Sequence, residues 1–172
     1  MNSLDKIALI KEAQKRNEDL EDFFDFNTKG LTKKELDLLL KGTFKLPEEY
    51  LSIILEIDGF EINGINFCGS GNGHYLSFLD LSKISNNVID FDKFFPFAKD
   101  VEGSIFVLDQ SSKVYVYQNF PPYNNLLITE GFETFLADFL LGDKILELYL
   151  EEDFKEDEYY VILEELKFLK KH

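Results

Sequence analysis

The sequence predicts an α+β fold, and three observations predict it. Apolar residues repeat at helical spacing toward both ends, in Tyr50-Leu51-Ile54-Leu55 and in Phe132-Phe135-Leu136-Phe139-Leu140. Between these helices lie short β-rich runs, Ile65 to Cys68, Tyr75 to Leu79, Phe94 to Ala98, Ile105 to Leu108 and Val114 to Gln118, with Asn-Gly turn signals at 63–64 and 72–73. The order is helices, sheet, helices, and 172 residues at 45% hydrophobic content suffice for one domain with a full core.

The elements follow in order. Ser3 to Asp22 reads as a peripheral helix, with Leu4, Ile7 and Ala8 on one face. Phe23, Phe24 and Phe26 need burial before a loop at 27–30. Thr32 and Glu35 form a capping box, flanked by Leu31 and Leu36, and Gly42 ends that helix. Pro47 opens the next helix in its first turn, with Glu48 and Glu49 at the positive end, and Asp58-Gly59 stops it. Ser82 to Asp92 is polar and reads as a loop. Pro96 suits an edge position or the start of a strand, whereas Ile105 to Leu108, apolar on both faces, belongs at the centre. Pro121-Pro122 breaks the sheet and Gly142 ends the Phe132 helix. A short helix at Ile145, Leu148 and Tyr149, an acidic run, and a terminal helix through Ile162, Leu163, Leu166 and Leu169 complete the chain.

Charge narrows the function. With 33 acidic against 18 basic residues the net charge is −15, which repels nucleic acid and anionic membrane and attracts a basic partner. The same acidity also serves solubility alone. Cys68 is the only cysteine, which excludes an intramolecular disulfide or thiolate cluster and fits a reducing compartment. Residues 1–6 lack the basic and apolar pattern of a signal peptide, and charge interrupts every long apolar run, so the expected location is the cytoplasm.

Candidate chemistry is thin. Gly69-Ser70-Gly71-Asn72-Gly73-His74 invites a dinucleotide-loop reading, but His74 stands where a third glycine belongs, and a strand, not a helix, is expected next. Phosphate-loop and nucleophile-elbow patterns are missing, and a plain glycine-rich turn remains. Cys68 and His74 could pair only if a hairpin joined them, and His172 is terminal. The acids from Glu151 to Glu158 lack the spacing of a calcium loop. No catalytic, cofactor-binding or metal-binding residue is assigned, and no enzyme activity is expected.

Several motifs, in order, resemble the SMI1/KNR4 (SUKH) superfamily: Leu46-Pro47-x-x-Tyr50 followed by Asp58-Gly59, the glycine-rich turn, Phe95-Pro96-Phe97-Ala98-Lys99-Asp100 with Gly103 to Asp109, and Val114-Tyr115-Val116-Tyr117 before Phe132-Glu133-Thr134-Phe135-Leu136. Ser104 stands where that family often carries Asp or Asn, and the closing strand lacks tryptophan. The resemblance covers roughly residues 31–141. It implies a single domain over 1–172 in which 31–141 is the core, with a central, mostly antiparallel sheet flanked by helices, and 142–172 an acidic helical extension.

In bacteria the superfamily is rich in immunity proteins that bind and neutralise toxins, often nucleases or deaminases. The resemblance therefore implies an immunity protein for a toxin with a basic surface, with a regulatory scaffold protein as the alternative. Neither reading involves nucleic acid or membrane. The expected partner-binding acids are Asp100 and Glu102 on one loop, and Glu151, Glu152, Asp153, Glu156, Asp157 and Glu158 in the extension.

Overall fold

A computed structural model describes residues 1–27, 29–40, 46–71, 75–85, 88–118, 125–148 and 152–170. Among the described residues seven strands form one sheet in chain order, each antiparallel to the next: β1 (Phe24–Phe26), β2 (Phe60–Ile62), β3 (Ile65–Phe67), β4 (Phe94–Lys99), β5 (Ile105–Asp109), β6 (Val114–Tyr117) and β7 (Asn125–Thr129). The helices are α1 (Ser3–Gln14), α2 (Lys33–Leu40), α3 (Glu48–Glu56), α4 (Phe78–Ser85), α5, α6 (Ile145–Leu148) and α7 (Glu158–Glu165). Helix α5 starts as a single α-turn over Phe132–Thr134 and continues as a π-helix over Phe135–Leu140.

Strand alternation sorts the sheet into two faces. One row, Phe26, Phe60, Phe67 and Ala98, is in register across β1 to β4 and points to the helices. The neighbouring row, Asp25, Glu61, Asn66 and Lys99, is polar and points the other way. On the helical face, Tyr50 of α3 meets Phe132 of α5 edge-on at 4.9 Å, and Phe135 packs on Phe106 of β5 at 5.5 Å. Edge-to-face rings bring the positive rim of one onto the negative face of the next. The core is one continuous cluster from Ile7 to Phe168.

Several expectations hold. Thr32 and Glu35 exchange the two capping bonds, at 2.8 and 3.2 Å. Asn63 and Gly64 both take positive φ, 46° and 76°, and turn β2 into β3. β5 lies between β4 and β6 and is central. The helix ends expected at Gly42, the turn at 72–73 and the break at 121–122 fall outside the described residues.

Others change. The first helix ends at Gln14, and a 3₁₀ turn follows over Glu18–Asp22. It is not peripheral: Ile7 and Ile10 are buried, and the Lys6 ammonium donates to the Ala137 and Leu141 carbonyls at the end of α5, at 2.8 and 2.6 Å. The strand expected at Tyr75 to Leu79 is not formed, and α4 takes up its last two residues together with Ser82 to Ser85 of the loop expected as far as Asp92. Its cap was legible: the Ser77 hydroxyl accepts from the Asp80 amide at 3.0 Å and donates to the Asp80 carboxylate at 2.6 Å, the Ser-x-x-acid box of a helix start. Pro96 sits in an interior strand, where it is tolerated because β3 pairs only with Ala98 and Lys99 and the ladder to β5 shifts register between Pro96 and Ala98. β7 has no counterpart among the expected strands.

The residues after Gly142 are structurally integrated with the N-terminal segment. Tyr159 is fully buried, packs tilted against Phe24 at 5.5 Å and donates its hydroxyl to the Leu140 carbonyl at 2.8 Å. Phe154, Ile162, Leu163 and Phe168 are buried with it.

Candidate functional site

The glycine-rich stretch proves to be a packing joint. The Asp58 carboxylate, buried at the end of α3, accepts from the Ser70 amide at 2.6 Å and from the Ser70 hydroxyl. A Cβ on Gly69 would lie 2.4 Å from an Asp58 carboxylate oxygen, and Gly71 takes φ +86° with Ser77 against it. The chain then returns over the polar face of the sheet. The Tyr75 hydroxyl donates to Asp25 at 2.7 Å, and the Leu76 amide donates to Asn66 at 3.2 Å. A helix does follow these glycines, contrary to expectation, but its start is capped by Ser77. Cys68 is buried, and burial pushes its thiol pKa far up, away from a reactive thiolate. His74 and His172 lie outside the described residues.

A different surface has the shape of a binding site. A groove of about 620 Å³ opens where the sheet outruns its helical cover. Its floor is the row Phe106, Val116 and Leu126, in register across β5, β6 and β7. Exposure grows along that row: Phe106 is buried under α5, Val116 is half-buried, and Leu126 is 50% exposed. Phe139 of α5 and Leu148 of α6 form one wall, and the β4–β5 turn forms another. Among the described residues, three acids line the groove, Asp100, Glu102 and Glu147, and no lysine or arginine does.

The β4–β5 turn is held firmly. The Asp100 carboxylate accepts from the Ser104 amide at 2.8 Å, the Asp100 amide donates to the Ser104 carbonyl at 3.1 Å, and Gly103 supplies a φ of 94°. At its tip Val101 is 86% exposed, between Asp100 and Glu102. An apolar side chain fixed in solvent between two carboxylates gains nothing from the fold and is suited to contact.

The eight acids expected to meet a partner fall in two segments. Asp100 and Glu102 line the groove. Glu152 and Asp153 belong to a 3₁₀ turn over Glu152–Glu156, and Glu151 lies outside the described residues. Glu156, Asp157 and Glu158 are exposed, and the Asp157 carboxylate caps α7 by accepting from the Tyr159 amide at 2.8 Å. Glu156, Asp157 and Glu158 do not line the groove. Sequence reasoning missed Glu147, Val101, Leu126 and Leu127. The uncharged run Asn125-Leu126-Leu127-Ile128-Thr129 was the available signal, since an edge strand ordinarily carries a charge or proline.

No described helix is long and apolar enough to cross a membrane. No curated protein matches the chain. A family model described as SMI1 / KNR4 family (SUKH-1) matches residues 31–138, from the capping box of α2 into the π-helical part of α5, and the chain belongs to that family.

Proposed function

We propose that this protein is a cytoplasmic immunity protein that neutralises a cognate bacterial toxin, a nuclease or deaminase with a basic substrate groove, by binding it rather than by catalysis. The observation that carries the reading is a net charge of −15 on a domain of this family. An enzyme that acts on nucleic acid presents lysines and arginines to phosphate, and an acidic protein is steered to that surface and competes for it. Asp100 and Glu102 in the β4–β5 turn, and Glu151, Glu152, Asp153, Glu156, Asp157 and Glu158 in the segment after Gly142, are the acids assigned to that contact.

The test is co-expression with the product of the adjacent gene. A complex that survives purification, together with relief of that product's toxicity, supports the reading. Failure to bind and to protect rejects it. In the complex, reversing Glu151, Glu152 and Asp153 together to lysine slows association about tenfold at low salt and flattens its salt dependence. An unchanged on-rate removes those three acids from the interface.

A further inference from the structure

We infer that the groove over β5, β6 and β7 seats a segment of the partner that carries one large apolar side chain flanked by lysine or arginine. Taking that partner to be the toxin rests on the immunity reading above; the chemistry of the groove stands on its own geometry.

Three independent observations converge on this occupant. The first is apolar surface that the fold leaves open. Leu126 and Leu127 are 50% and 49% exposed, and Val101 stands across the groove on its braced turn. The second is the edge. β7 closes the sheet with β6 on one side and no described strand on the other, and it carries no charge or proline to discourage contact. Its register with β6 shifts between Val114 and Tyr115, leaving Ile128 as the extra residue opposite β6. Such a bulge bends the strand, and three successive residues, Leu126, Leu127 and Ile128, line the groove. The third is charge. Among the described residues, Asp100, Glu102 and Glu147 supply the ionisable side chains of the lining, and all are acidic.

Together these select among occupants. A purely apolar segment would leave three carboxylates facing a dry contact, at a desolvation cost. A purely basic segment would leave the floor exposed. A second copy of this chain would bring the same acids against themselves on a protein of net charge −15. An apolar anchor with cationic flanks satisfies floor and rim at once, the anchor covering Val116 and Leu126 and the flanks reaching the acids.

The experiment uses the full chain and three labelled peptides: Lys-Lys-Phe-Lys-Lys, Lys-Lys-Ser-Lys-Lys and Glu-Glu-Phe-Glu-Glu. Binding is read by fluorescence anisotropy for the wild type and three variants: Leu126→Ser, Glu102→Lys with Glu147→Lys, and, as a control of equal charge change at exposed acids outside the groove, Glu18→Lys with Glu21→Lys. The basic Phe peptide binds the wild type, and both groove variants weaken it about tenfold, while the control changes it by no more than about twofold. The Ser and Glu peptides bind more weakly throughout. Circular dichroism establishes that each variant is folded.

The inference is overturned if the basic Phe peptide does not bind, if the Ser peptide binds equally well, or if the control variant weakens binding as much as the groove variants do. Sedimentation that shows a dimer abolished by Leu126→Ser also overturns it, in favour of a second copy. Co-purification with the adjacent gene product separates the two proposals. A groove variant that still co-purifies and protects defeats the groove alone, whereas a wild type that neither co-purifies nor protects defeats the immunity reading and leaves the peptide result standing.

Discussion

Lys6 and Leu141, 135 residues apart, are joined by a hydrogen bond of 2.6 Å from ammonium to carbonyl. The same ammonium reaches the Ala137 carbonyl and sits 5.0 Å from the centre of the Phe168 ring. A π-helix ends with carbonyls that the next turn does not satisfy, and a lysine from α1 satisfies them. Replacing Lys6 by Met keeps the stem and removes the donor, so urea denaturation records a loss of about 1–3 kcal/mol.

Burial also lowers the Lys6 pKa, against the opposing pull of Asp138, Asp143 and Glu133. Between that lowered value and the ordinary 10.5, the unfolded chain binds more protons than the folded one, so this residue's contribution to stability rises with pH through that window. Wild type minus Lys6→Met, measured from pH 8 upward, therefore widens. A difference that narrows would show that the folded state holds its proton more tightly than the unfolded state.

Tyr50 and Tyr159 are both fully buried and predict opposite outcomes on conversion to Phe. The Tyr50 hydroxyl has no hydrogen-bond partner among the described residues, and burial drives its pKa up. Tyr50→Phe removes an uncompensated polar atom and leaves stability equal or higher by up to about 1 kcal/mol. Tyr159→Phe orphans the Leu140 carbonyl and lowers stability by about 1–2 kcal/mol. Chemical denaturation of the two variants side by side checks the contrast.

Two glycines separate in the same way. A Cβ on Gly30 would lie 1.8 Å from the Leu55 carbonyl oxygen, a backbone atom that no rotamer moves. Gly30→Ala costs about 4 kcal/mol or more, enough to leave much of the chain unfolded. A Cβ on Gly131, at the start of α5, meets nothing within 4 Å, and Gly131→Ala melts within a few degrees of wild type.

Cys68 offers a reporter. Its thiol is enclosed, so a thiol reagent labels it only when the structure opens, and labelling of wild type accelerates with urea in step with unfolding. Asp58→Ala releases Ser70 two residues away and raises the native labelling rate about tenfold. A rate that matches free cysteine in native buffer would contradict the burial.

Local chemistry decided what could be read from the sequence. The Thr32–Glu35 box, the Asn63-Gly64 turn and the doubly apolar β5 are each specified by residues a few positions apart, and each was legible. Ser77 and Asp80 were equally legible as a cap, but the glycines before them drew the reading toward a hairpin. Lys6 could not be placed, because its partners are carbonyls at 137 and 141 and a lysine in a mixed helix looks like surface. Asp100 and Glu102 were singled out by their charge. The groove they line was not, since it exists only where β7, absent from the expected strands, extends the sheet past α5 and α6.

Tyr159 lies over Phe24, so a late helix covers an early strand. On the ribosome, β1 waits with its aromatic face uncovered until α7 has emerged, long after the family-matching core at 31–138 has been made. Closure of that face is thereby postponed until α7 has been made. A premature stop codon before α7 would yield a chain with sticky aromatic surface, prone to aggregate rather than to act as a smaller inhibitor.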